Sequence, residues 1–277
     1  MSRLLQIAII GLAALATSLM ARADDCEFTA DRTATIDTAG AKRIDISARA
    51  GELFIEGAKG GPVEARGRAC ASEQEYIDQI KLESRREGDT VYLEVRMPDT
   101  EKHSGWGSNY ATLDLRVTVP DSIPLRVTDS SGEAEVRNVK ALNMTDSSGE
   151  LRITNVPGDI EVRDSSGELW IRNVGSLRLS DSSGDVEIEG VEGDVKIDVD
   201  SSGSLEIENV KGKVQIDQDS SGDIRIVDVG GDVRIDSDSS GSVDVRRVGG
   251  AFALGTKGSG SIQVADVKGT VTVPPGR

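Results

Sequence analysis

The sequence predicts an all-β fold: a β-solenoid of stacked two-strand coils, 17–19 residues each, behind a β-rich N-terminal cap. Three observations predict it. The tetrapeptide Asp-Ser-Ser-Gly recurs seven times, runs of alternating apolar and polar residues flank the copies, and aromatic residues are scarce while glycines are abundant.

The tetrapeptide begins at Asp129, Asp146, Asp164, Asp181, Asp200, Asp219 and Asp238, with spacings of 17, 18, 17, 19, 19 and 19 residues. A degenerate eighth copy, Lys257-Gly258-Ser259-Gly260, follows after another 19. Self-similarity at a short fixed period is the signature of a repeat architecture. After the glycine comes a strand-like alternation, as in Glu150-Leu151-Arg152-Ile153-Thr154 or Asp223-Ile224-Arg225-Ile226-Val227, the period of a half-buried strand. A valine then recurs at Val139, Val156, Val174, Val191, Val210, Val229, Val248 and Val267. Asn or Asp usually precedes it (Asn138, Asn155, Asn173, Asn209, Asp228, Asp266), residue types that tolerate left-handed turn geometry. A second alternating run, such as Ile160-Glu161-Val162 or Val195-Lys196-Ile197, leads to the next motif.

Each unit is therefore strand, corner, strand, corner. Such a unit cannot bury its apolar face alone, so copies stack. Equivalent strands then lie about 4.8 Å apart in two parallel sheets, and eight rungs make a rod roughly 40 Å long. Consecutive antiparallel hairpins are the alternative, but identical corners at this period align more naturally in superimposed coils. Inward positions are Leu, Ile and Val, which suit ladders on a pleated surface. With only two Trp, three Tyr and three Phe, the gap between the sheets is expected to have no room for rings. The outward column two residues after the motif glycine reads Glu135, Arg152, Trp170, Glu187, Glu206, Arg225, Asp244 and Gln263. That is a solvated face of mixed charge, in which Trp170 is the one candidate sugar platform.

Residues 1–23 read as a secretory signal peptide: Arg3, an uncharged run from Leu4 to Met20, then Ala21-Arg22-Ala23 as an A-x-A cleavage site. Residues 24–119 form the cap segment and 120–277 the solenoid of about eight coils. Within the cap, Ile44-Asp45-Ile46, Leu53-Phe54-Ile55-Glu56, Val91-Tyr92-Leu93-Glu94-Val95 and Leu113-Asp114-Leu115-Arg116-Val117 alternate as strands. Glu87-Gly88-Asp89 reads as a turn. Ser72-Glu73-Gln74-Glu75 reads as a capping box opening a short helix through Ile80, and the stretch from His103 to Tyr110, with Trp106, as an exposed loop. Pro274-Pro275 is a reasonable stop, since proline cannot donate to a further rung.

Acidic residues outnumber basic ones by 48 to 32, for a net charge of −16. That balance argues against nucleic acid or an anionic membrane surface as partner, because phosphates reward clustered positive charge. Two cysteines, Cys26 and Cys70, are expected to form one disulfide in an oxidising compartment. The repeated serines are not read as nucleophiles: serine needs a base, and the one histidine, His103, is remote from every repeat. The motif reads instead as corner chemistry, with Asp and Ser accepting from turn amides and Gly supplying a positive φ. The 19-residue coils extend it to D-x-D-x-S-G, the spacing of the first half of a calcium loop. This makes Asp198, Asp200, Asp217, Asp219, Asp236 and Asp238 metal candidates, although position 12 falls on Asn209, Asp228 and Arg247 rather than Glu. Turn-capping Asp ladders are the simpler reading, with no cofactor.

The repeated D-S-S-G-[DES]-h-x-h-x-x-V-x-G, illustrated by Asp181-Ser182-Ser183-Gly184-Asp185-Val186-Glu187-Ile188 with Val191-Glu192-Gly193, resembles a bacterial family of β-strand-repeat proteins labelled adhesins, whose biochemical role is unassigned. The resemblance spans nearly all of the chain beyond residue 23 and implies a β-solenoid of the bacterial envelope, in the periplasm or at the cell surface. It carries over no catalytic residues. The expected function is a non-enzymatic structural, adhesive or binding scaffold for an envelope protein or glycan, not integral to the membrane once the signal is cleaved. The alternatives are a polysaccharide-acting β-helix enzyme and a calcium-binding repeat protein.

Overall fold

A computed structural model describes residues 26–100 and 109–275. The expected signal peptide and most of the expected loop, including His103 and Trp106, lie outside the described residues. The chain builds two twelve-stranded sheets that face each other across one aliphatic core.

Each motif coil contributes its first strand to one sheet and its second to the other. The coil of Leu125–Thr128 and Ala134–Arg137 comes first, and that of Phe252–Ser259 and Ile262–Val267 last. Neighbouring coils pair in parallel and in register, for example Leu169↔Val186, Ile171↔Ile188 and Val174↔Val191. Alternation drives this: in Leu151–Val156, Leu151, Ile153 and Val156 are buried while Arg152 and Thr154 are half-exposed. The valine series from Val139 to Val248 is buried, and Val267 in the last coil is half-buried. The expected exclusion of rings is corrected at Phe252, which is fully buried in the core. It sits beside Val271, itself exposed, so the ring occupies the loosely covered end of the rod.

Among the described residues, the preceding segment has seven strands and one helix: β1 (Phe28–Ile36), β2 (Arg43–Ser47), β3 (Leu53–Ala58), β4 (Val63–Ala71), α1 (Gln74–Gln79), β5 (Lys81–Glu87), β6 (Thr90–Arg96) and β7 (Ala111–Pro120). β2 and β3 form a coil stacked in parallel on the first motif coil, and β6 and β7 form another stacked on β2 and β3. The stacking order is therefore not the chain order. Antiparallel strands close this end: β4 and then β1 beside β7, and β5 beside β6. β5 is an edge strand of mostly exposed, mixed charge, which discourages pairing with another chain. Gly88 turns the β5–β6 hairpin with φ +60°. α1 forms as expected, but Glu73 is its N-cap and no side chain bonds there. Ser72 instead accepts from the Tyr110 amide at 3.2 Å, and Arg32 satisfies the far end by donating to the carbonyls of Ile77 and Ile80 at 2.6 and 2.7 Å. Cys26 and Cys70 form a disulfide that ties the segment just before β1 to β4.

The valine corner behaves as its residue types dictate. Asn138, Asn155, Asn173, Asn209, Asp228 and Asp266 all take φ of 55–60°, and Gly190 and Arg247 hold the same place with φ 74° and 55°. The asparagines also ladder: Asn155 Nδ2 donates to Asn138 Oδ1 at 3.1 Å, and Asn173 Nδ2 to Asn155 Oδ1 at 3.3 Å. Asn155→Ala is expected to cost about 1–3 kcal/mol, by placing a β-carbon in the left-handed region and removing a rung of that ladder; urea unfolding measures it.

Candidate functional site

The motif corner carries three stacked columns along the rod. The glycines take φ between 101° and 138°, where a β-carbon would strike the coil before. From the second motif on, the second serine donates its hydroxyl to the first serine's carbonyl one coil back, as in Ser148→Ser130 at 3.2 Å and Ser221→Ser201 at 3.1 Å. These hydroxyls are structural donors.

The aspartates keep the amides of the following serines beside them, as the corner reading expects, but they face the core. Asp129, Asp146, Asp164, Asp181, Asp200, Asp219 and Asp238 are all at most 4% exposed, and apart from the Lys257 contact to Asp238 their oxygens accept no hydrogen bond of good geometry. Other corner amides are spent between coils: Asp146 N–H donates to Arg163 O, Gly149 N–H to Ser166 O, and Asp219 N–H to Ser237 O. The side chain is left facing inward beside its equivalents. The column begins beyond Ala48, which occupies the Asp place in the β2–β3 coil, and ends at Lys257. Lys257 Nζ lies 2.7 Å from Asp238 Oδ2, with both side chains almost fully buried.

Two unit charges about 4.8 Å apart repel by about 3.5 kcal/mol at an effective dielectric constant near 20. Seven ionised carboxylates in a dry file would therefore be costly. Burial pushes the carboxyls of Asp129, Asp164 and Asp219 up to about 7, those of Asp181 and Asp200 to about 6, and that of Asp146 in the same direction. Negative charge on column neighbours adds to burial at Asp129, Asp164, Asp181 and Asp219. The following serine amides work in the opposite sense at Asp129, Asp146, Asp164, Asp181 and Asp200.

The D-x-D pairs point two ways. Asp198, Asp217 and Asp236 are partly exposed and ion-paired: Asp198 to Arg178 at 2.6 Å, Asp217 to Lys196 at 2.9 Å, and Asp236 to Arg234. Asp200, Asp219 and Asp238 are in the interior column. Asp198 is an extra residue at a register shift, since Leu179 pairs with Ile197 and Ser180 with Val199. Among the described residues no group of three or more His, Cys, Asp or Glu is disposed to hold a metal ion.

The outward column is continuous across twelve strands, from Gln263 through Trp170 and Glu135 to Phe54, Arg116, Arg66 and Thr33. Trp170 carries Arg152 stacked over its ring at 4.1 Å. A groove of about 260 Å³ beside it is lined by Glu168, Asp185, Glu187 and Glu206 among others. Of these, Glu187 pairs with Arg172, and Glu206 with Arg225 at 2.7 Å. Most repeat arginines are matched in this way, including Arg137, Arg163 and Arg247.

The cap end differs. A groove of about 490 Å³ crosses β1, β4, β7 and β3. Arg66 and Arg116 lie directly opposite each other there on the outer face, and neither has an ion pair among the described residues. Like charges facing across strands destabilise a sheet. Arg116 and Arg137 lie over the Phe54 ring at 5.1 and 4.6 Å, fixing the Arg116 guanidinium. Sequence reasoning missed this pair because strand register brings it together.

A family model described as Toastrack DUF4097 matches residues 41–273. No curated protein matches the chain. Among solved structures, it is similar to a candidate cell adhesion protein from Clostridium sporogenes ATCC 15579, at 14% identity and TM-score 0.29, over 88% of this chain and 98% of that one. It is also similar to a candidate lipid binding protein from Parabacteroides distasonis ATCC 8503, at 17% identity and TM-score 0.47, over 89% and 97%. A third likeness is to a candidate adhesin from Bacteroides fragilis NCTC 9343, at 12% identity and TM-score 0.38, over 89% and 97%.

Proposed function

The chain belongs to the Toastrack DUF4097 family, and from that premise we propose that it is an exported, non-enzymatic β-solenoid scaffold that binds an envelope protein or glycan. The observation that carries this reading is the unmatched Arg66–Arg116 pair on an outer face whose repeat arginines are mostly neutralised in place. A pair of like charges kept without an ion pair among the described residues, beside a groove, is suited to an anionic group of another molecule. The acids held protonated near neutrality are sealed in the core, so they are out of reach of a substrate as general acids. Export is supported by the signal-like residues 1–23 and by the disulfide, which suits an oxidising compartment. No helix among the described residues is long and apolar enough to cross a membrane. In this reading residues 1–23 are removed, and residues 24–119 close one end of the 120–277 solenoid.

A glycan and envelope-protein panel tests it, with the oxidised chain and its Arg66→Ala/Arg116→Ala variant. The reading expects a selective ligand whose affinity falls at least tenfold in the variant. Binding to nothing in the panel, or equal binding by both chains, contradicts it.

A further inference from the structure

The interior column has a consequence independent of any partner. Ionised carboxylates are acceptors only, so one facing another within the core gains nothing unless a proton lies between them. Asp164 with Asp181, and Asp219 with Asp238, are close enough for a carboxyl–carboxylate hydrogen bond. We propose that the stacked aspartates are a proton-binding site running along the rod, in which a protonated carboxyl donates to the carboxylate of the next coil and acidification fills the remaining places. The site is geometric in origin: in-register stacking puts one carboxyl on each of seven successive coils, and burial seals the file from water.

The charges acting on the column are its own members and Lys257, which neutralises the last of them. Ala48 closes the other end without charge. The first five members, Asp129 to Asp200, therefore have no cationic counterpart in the core among the described residues and depend on protons.

The sign follows from linkage. These carboxyls bind protons more tightly folded than unfolded, where aspartate has a pKa of about 3.9. Below about pH 4 both states are protonated and the column carries no penalty. As pH rises from there to about 7, the unfolded chain releases protons that the fold retains, so stability falls. Each retained proton makes the unfolding constant rise about tenfold per pH unit. The surface carboxyls of Asp89, Asp217 and Asp228, at least partly exposed, act oppositely: their lysine and arginine partners hold them below the usual range. Their contribution is lost in stronger acid, below about pH 4. The rod should be most stable near pH 4–5, more so than at pH 7–8.

The test is urea unfolding of the oxidised chain between pH 4 and pH 8.5, beside a variant carrying Asp129→Asn, Asp146→Asn and Asp164→Asn. Asparagine keeps the shape and supplies its own donor. The wild-type unfolding constant is expected to rise at least tenfold per pH unit between pH 4.5 and 6.5, and the variant to show a much shallower rise. Infrared spectra of the folded wild type at pH 7 should retain a protonated-carboxyl C=O stretch, a readout that holds even if the variant fails to fold. Absence of that band overturns the proposal, as does an equal pH slope in both proteins. A calcium-dependent rise in melting temperature at pH 8 in the wild type alone would show that a metal ion takes the protons' place, and also overturns it.

Discussion

Gly184→Ala is expected to prevent the middle coils from stacking. Gly184 sits at φ +134°, and a β-carbon there would lie 1.6 Å from Gly167 O and 2.6 Å from Gly167 C. Those atoms are backbone of the coil before, so neither can yield without breaking that coil's own pairing. The cost combines a forbidden backbone region with a backbone collision, and is expected to exceed about 4 kcal/mol, the range reserved for a broken structural device. A solenoid is held by nearest-neighbour interfaces, so the defect should uncouple the coils on either side. Circular dichroism should show lost cooperativity and a much lower midpoint. Gly88→Ala is the control: its β-carbon would meet nothing within 4 Å, and its cost should be about 1–2 kcal/mol, from φ alone. Similar melting of the two variants would contradict the stacking account.

Cys70→Ala is expected to cost up to about 4 kcal/mol, the chain-entropy value for releasing a loop of this length. The separation between the two cysteines is 44 residues. The released loop includes β1 and most of β4, which close the stack beside β7. Because coupling is local, the loss should appear first as faster hydrogen exchange in β1, β4 and β7, while the coils beyond residue 180 keep their protection. Uniform loss of protection along the chain would show that the cap is not a local unit.

Much of this fold was legible in the sequence because each corner has its own chemistry. The motif glycine and the Asn-Val pair mark the two positive-φ positions, and alternation marks the faces. The inward turn of the aspartates was also legible, though by parity rather than by motif. Asp129, Asp146, Asp164 and Asp181 each lie two residues after a buried Val127, Met144, Val162 or Leu179, and period two puts them on the same side. The β2–β3 coil left a fainter trace. Ile44 and Leu53 are nine residues apart, as are Leu125 and Ala134, but Gly51 is all that survives of the motif between them. β5 left none: Lys81-Leu82-Glu83-Ser84-Arg85-Arg86-Glu87 is an edge strand exposed along most of its length, so burial imposes no alternation. The Arg66–Arg116 pair was beyond reach because it depends on antiparallel register between strands some fifty residues apart.

Spin labels on the outward column measure the coil rise directly. Glu135 and Gln263 are separated by seven coil steps, and Glu187 and Gln263 by four. Pulsed electron–electron distances on Glu135→Cys/Gln263→Cys and Glu187→Cys/Gln263→Cys should centre near about 34 Å and about 19 Å, one strand spacing per repeat. Distances growing by about 9.6 Å per repeat, as two strands of each unit in one sheet would give, would contradict the stacked-coil fold and everything derived from it.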